Sequence, residues 1–117
     1  STNRYRREAW WMATVKETSD AMPGRFKPDR AQGVKAVIQY DITGEGGGTY
    51  NVSVADGTCA LQEGPAASPT LTLTMSAPDW LDMVSGKLNG QMAFMSGKLK
   101  LKGDMGLAMK LAGMFGI

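Results

Sequence analysis

The sequence predicts an α+β domain in which helices cover one face of a five-stranded, mainly antiparallel sheet. Three observations predict it. Through the middle of the chain the hydrophobic period is two, most clearly in Thr70-Leu71-Thr72-Leu73-Thr74-Met75, the mark of strands with one buried face. Turn signals, chiefly the Gly46-Gly47-Gly48 stretch and Asp56-Gly57, separate the first of these runs at hairpin distances. Before and after that region, apolar spacings of three and four between capping residues mark helices. A chain of 117 residues is one domain. Its first 14 residues read as an extension or the start of a helix.

Residues 4–22 predict a helix. Trp11, Val15, Thr18 and Met22 share a face, Tyr5, Ala9 and Met12 extend an overlapping stripe, and Pro23-Gly24 ends it. Arg4, Arg6 and Arg7 precede Trp10 and Trp11. That grouping suits a solvated basic turn before two packed tryptophans, or a helix resting on an anionic membrane. Arg25 to Gly33 connects, with room for a short helix after Asp29. Val34, Ala36, Ile38, Tyr40 and Ile42 alternate as a first strand, and Tyr50, Val52 and Val54 as a second. The glycines between them match no phosphate-binding pattern, and alternation on both sides predicts a hairpin. Cys59 and Leu61 face one side of a short third strand, and Gln62 to Pro69 is a loop. The fourth strand puts threonines on one face and Leu71, Leu73 and Met75 on the other.

Ser76-Ala77-Pro78-Asp79 reads as a helix start with a serine cap, proline in the first turn and a capping-box aspartate. Trp80, Leu81, Met83 and Val84 follow, and Gly86 stops the helix. Asn89 caps a second short helix holding Met92, Ala93, Phe94 and Met95, stopped by Gly97. Lys98 to Lys102 alternates lysine with leucine as a fifth strand, and Met105 to Phe115 forms the last helix, with Lys110 its single charge. Helical segments separate strands four and five, which therefore need not be antiparallel neighbours.

Composition narrows the function. A net charge of +2 with no dense basic patch interleaved with aromatics argues against nucleic acid. The sequence has no histidine and one cysteine, which removes the usual zinc sites and Cys-His or Ser-His pairs and leaves no plausible acid–base set. Cys59 reads as a small buried hydrophobe. One cysteine suits a reducing compartment, so cytoplasm or an organelle matrix is expected.

The last third is greasier than a small domain needs. Five of the nine methionines lie after Ser85. A helix apolar nearly all round must be covered by protein, membrane or an apolar ligand. Either the helices pack completely, with methionine filling gaps, or they hold open an apolar cavity. Patterning leaves both open.

The same residues carry a resemblance. Gly86-Lys87-Leu88 and the run from Ala93 to Leu111, AFMSGKLKLKGDMGLAMKL, resemble the signature of the sterol carrier protein-2 family. Ala36 to Asp41, Gly46 to Gly48, Leu71 to Ser76 and Asp79 to Leu81 add to it, so the likeness runs from about Val15 to Leu111. It implies a hydrophobic tunnel between sheet and helices, and binding or transfer of fatty acids, fatty acyl-CoA, phospholipids or sterols, with transient membrane contact and neither catalytic residues nor cofactor. Members occur alone and as C-terminal domains of lipid-metabolising enzymes. Two features depart from the family. The chain ends Phe115-Gly116-Ile117 without the peroxisomal tripeptide of some eukaryotic members, and Asn89-Gly90 stands where many members have Asn-Pro. No residue here is suited to recognise a sterol hydroxyl.

The expected tunnel lining is Trp80, Val84, Met92, Phe94, Met95, Met105, Ala108, Met109 and Ala112, the last four on one face of the terminal helix. Lys98, Lys100, Lys102 and Lys110 form a solvated face or attract an anionic headgroup. The rival readings are an accessory domain of a larger enzyme that binds no lipid, an enzyme, and a membrane adaptor working through Arg4 to Trp11.

Overall fold

The computed structural model describes residues 14–117. The predicted helix over 4–22 is thus seen only in its second half, and the basic and tryptophan cluster from Arg4 to Trp11 lies outside the described residues. Helix α1 spans Val15–Asp20 and starts in a reciprocal capping box: Glu17 N–H donates to Thr14 Oγ1, and the Glu17 carboxylate accepts from Thr14 N–H. Pro23-Gly24 does not terminate the helical stretch. Pro23 sits in the first turn of a second short helix, α2, Met22–Arg25, where its missing N–H is not needed. A 3-10 turn, Pro28–Arg30, follows.

The sheet comprises β1 (Ala36–Thr43), β2 (Gly48–Ala55), β3 (Thr58–Glu63), β4 (Leu71–Ser76) and β5 (Lys100–Gly103), in the order β3-β2-β1-β4-β5. Three of the four pairings are antiparallel; β1 and β4 run parallel, Ile38 opposite Leu71 and Tyr40 opposite Leu73. The sheet is therefore mixed. β4 and β5 are antiparallel neighbours in spite of the helices between them, Leu73 facing Leu101. Asp56 and Gly57, both at positive φ, make the two-residue turn between β2 and β3.

One sheet face carries the core. Ala36, Ile38, Tyr40 and Ile42 of β1, Val52 and Val54 of β2, and Leu71, Leu73 and Met75 of β4 are buried. Helix α1 packs on β2, α2 on β3, α3 (Ala77–Val84) on β1 and β4, and α5 (Met105–Phe115) on β4 and β5. The remaining helix, α4 (Gly90–Met95), packs on α3. The other sheet face is polar and is crossed by residues 64–70. Gly64 accepts from Asn51 Nδ2 at 2.9 Å, Ala66 N–H donates to Gln39 Oε1 at 2.9 Å, and Thr70 N–H donates to Val37 O at 2.8 Å. This crossing carries the chain from the edge strand β3 to the far side of β1, and it makes the parallel pairing possible.

Candidate functional site

Beside α3, on the helical side of the sheet, lies an apolar cavity of about 500 Å3. Its floor is Leu73 of β4 with Leu99 and Leu101 of the β5 segment. One wall is Met83 of α3 with Gly90, Gln91 and Phe94 of α4. The other is Met105, Ala108, Met109, Leu111 and Ala112 of α5, and Ile117 completes the lining. Among the described residues, Gln91 is the one polar side chain in the lining. The cavity opens between α4 and α5, where Phe94 is 47% exposed, Met105 46% and Met109 85%.

Local chemistry sets each wall. Ser76 Oγ accepts from Asp79 N–H at the start of α3, and Asn89 Oδ1 accepts from Met92 N–H at 2.7 Å at the start of α4. After α4 the N–H groups of Lys98 and Leu99 both donate to Ala93 O. That reversal delays the fifth strand to Lys100 and leaves Leu99 buried on the floor. Gly103, at φ 120, turns the chain from β5 into α5 beside Thr70, where any Cβ would collide with the Thr70 carbonyl oxygen. Asp104 Oδ1 then accepts from Leu107 N–H at 3.1 Å as the α5 cap. At the far end of α5, Gly116 adopts a left-handed conformation and bonds back to Ala112 O. Arg25 ties the two walls: its guanidinium donates to Val84 O at 3.0 Å and to Gly116 O at 3.4 Å.

Five of the nine expected lining residues meet the cavity: Phe94, Met105, Ala108, Met109 and Ala112. Trp80, Val84, Met92 and Met95 do not line it. Trp80 is fully buried under α1, its Nε1–H donating to Thr18 Oγ1 at 2.8 Å and its ring 5.3 Å from that of Tyr40. The segment from Trp80 to Val84 is helical, but α3 turns Met83, not Trp80 or Val84, to the cavity. Met92 and Met95 stand 59% and 77% exposed, because α4 buries only Ala93. Leu73, Met83, Leu99, Leu101 and Leu111 were not singled out. Their period-two and helical patterns marked them as inward-facing, but the neighbours of that face depend on strand order.

Titratable chemistry lies elsewhere. Cys59 sits on β3, at the sheet edge opposite the cavity, and partial burial pushes its thiol up to about 11. Tyr40, deep under α3, is also raised, chiefly by burial and secondarily by the neighbouring Cys59. Both groups are held neutral at ordinary pH.

Residues 20–116 of this chain match the SCP-2 sterol transfer family. The chain belongs to that family. Hydroxysteroid dehydrogenase-like protein 2 from Bos taurus is 39% identical over 99 residues, which is 83% of this chain and 23% of that protein. The Homo sapiens protein of the same name is 36% identical over the same shares. The chain thus spans about a quarter of the length of these curated relatives. Among solved structures, palmitated SCP2L2 from Aedes aegypti aligns with a TM-score of 0.73 at 28% identity, covering 86% of this chain and 93% of that one. The sec-alkylsulfatase Pisa1 from a Pseudomonas species shares the fold, with a TM-score of 0.72 at 21% identity over 89% of this chain and 16% of its own. In this SCP-2 domain the two helices that frame the opening, α4 and α5, supply the two ends of the run from Ala93 to Leu111.

Proposed function

We propose that this SCP-2 domain is a non-enzymatic carrier that holds the acyl chain of a fatty acid, fatty acyl-CoA or phospholipid in the cavity between β4–β5 and α4–α5. The observation that carries this reading is the cavity itself. Its volume of about 500 Å3 falls within the ~300–1,000 Å3 range of ligand pockets, and its lining is apolar but for Gln91. Transfer of apolar surface at ~0.8 kcal/mol per CH2 gives a sixteen-carbon chain a gross driving force of about 12 kcal/mol before ordering costs. Such binding discriminates chain identity weakly, because methionine and leucine adapt to many apolar shapes. The palmitated Aedes aegypti relative supports an acyl cargo.

The test is native mass spectrometry of the purified protein, with extraction of the lipid that accompanies it. Acyl lipid at about one per chain is expected, and adding a long-chain fatty acid to stripped protein should raise its melting temperature by mass action. A protein that carries no lipid and melts at the same temperature with and without fatty acid overturns the reading.

A second reading has its own support. The chain covers only 23% of hydroxysteroid dehydrogenase-like protein 2 and 16% of Pisa1. An SCP-2 domain in such company serves as an accessory module to a catalytic domain, with or without a lipid of its own. Finding the domain joined to a dehydrogenase in its gene, together with an empty cavity in the mass spectrum, favours this second reading.

A further inference from the structure

We propose that the exposed methionine rim of α4 and α5 is a membrane-docking surface, and that anionic phospholipid is its partner. The inference rests on the carrier reading for its purpose, but on different atoms for its support.

Every large hydrophobic side chain that the described residues leave exposed lies on these two helices: Met92, Phe94, Met95, Met105 and Met109. Helix α4 has six residues, of which only Ala93 is buried while three large apolar side chains face outward. A helix of that composition gains little from the core it touches, and its exposed face is a surface awaiting a partner. Met105 and Met109 sit one turn apart on α5, across the cavity opening from Phe94.

Charge identifies the partner. Residues 85–117 hold five lysines and a single acidic residue, Asp104, whereas the preceding 84 residues hold eight basic and ten acidic side chains. Asp104 is occupied as the α5 cap. Lys98 stands at the end of α4, three residues after Met95, and Lys110 follows Met109; both are exposed and have no carboxylate within ion-pair distance among the described residues. Apolar side chains fringed by unpaired lysines match the interface of an anionic bilayer, with hydrocarbon inside and phosphate outside. The cavity opens in the middle of this rim, so docking it on the bilayer lets an acyl chain pass from lipid to protein without crossing water. Two of the three remaining lysines of this region supply a control. Lys100 and Lys102 alternate with Leu101, which faces the cavity, so the pleat puts both on the opposite face of the sheet.

The experiment compares co-sedimentation of the 117-residue protein with phosphatidylcholine vesicles and with vesicles containing phosphatidylserine. Solution affinity for a fluorescent fatty acid is measured alongside. The protein is expected to prefer the anionic vesicles, more strongly at low salt. The Lys98→Glu Lys110→Glu protein should lose vesicle affinity by roughly tenfold or more, and Met95→Asp should weaken it on both vesicle types. Neither change should alter fatty acid affinity, since none of the three residues lines the cavity. The Lys100→Glu Lys102→Glu protein, with the same change in net charge, should keep most of its vesicle binding. Equal loss in both double variants, or wild-type sedimentation of Met95→Asp, overturns the proposal. So does concentration-dependent self-association that Met95→Asp abolishes, which would make the rim an interface between two copies of the chain. If no protein binds fatty acid, the carrier reading falls, and the vesicle comparison still decides the docking surface.

Discussion

Trp80 joins the helical layer to the sheet. Its indole N–H reaches Thr18 on α1, and its ring rests on Tyr40 of β1. Truncation to alanine should remove about 3–5 kcal/mol of stability. Trp80→Phe, which keeps most of the packing and removes the donor, should lose about 1 kcal/mol. Urea unfolding measures both, and fatty acid affinity should be unmoved by Trp80→Phe. The Tyr40 hydroxyl is a counterexample within the same cluster. It is buried and has no hydrogen-bond partner among the described residues, so Tyr40→Phe should raise stability by about 1 kcal/mol. Cys59 adds a pH dependence. Its folded-state value, about 11, lies above the ordinary 9.0. The folded state therefore favours the neutral thiol, and the stabilising effect is complete below about pH 9 and declines as pH rises toward 11. Urea midpoints measured across that range should fall, and fall less steeply in Cys59→Ala. A midpoint that stays flat to pH 11 would contradict the burial of this group.

At the scale of elements, α5 matters most. It buries Leu107, Met114 and Phe115 in the core and lends Met105, Ala108, Met109, Leu111 and Ala112 to the cavity. Its attachments are few and specific: the Asp104 cap, the Gly116 turn, the Lys27 N–H bonded to Met114 O at 2.8 Å, and Arg25. A helix with one face on a cavity should change its order with the cavity's contents. Hydrogen exchange in Met105–Phe115 should slow when fatty acid is added, with little change in β1 and β2. Unchanged exchange throughout α5 at saturating ligand would mean that the order of this helix does not depend on the cavity's contents. Removing the cap in Asp104→Ala should weaken the protein by about 1 kcal/mol and speed exchange in the first turn of α5. Met109→Asp puts a charge on the wall and should reduce fatty acid affinity; Lys102→Ala, on the far sheet face, should leave it nearly unchanged. A titration that ranks them the other way would mean that this wall does not touch the cargo.

At the scale of the whole molecule, local signals carried far and long-range ones did not. The five strands, the caps Ser76 and Asn89 and the stops Gly86 and Gly97 were legible because each is set within a few residues by period or capping chemistry. Strand order was not. Alternation in Leu71 to Met75 says that one face is buried, but not that β4 runs parallel to β1, because the connection across the outer sheet face is held by Gln39 and Asn51, far away in sequence. The same gap explains the site. Met105, Ala108, Met109 and Ala112 could be grouped from helical spacing alone, whereas Leu73 and Leu101 become lining only once β4 and β5 are neighbours. Pro23 departs from the expected helix stop for a local reason: a proline that ends one helix equally well begins the next.

Among the described residues, all those around the cavity, from Leu73 to Ile117, come after the outer-face crossing at residues 64–70. The container is one uninterrupted segment, and the first half of the chain is the frame that supports it. Cargo preference is then inherited as a single cassette. Splicing a relative's terminal segment onto this chain just after Thr70, with Gln39 and Asn51 left to hold the crossing, should transplant the donor's lipid selectivity whole.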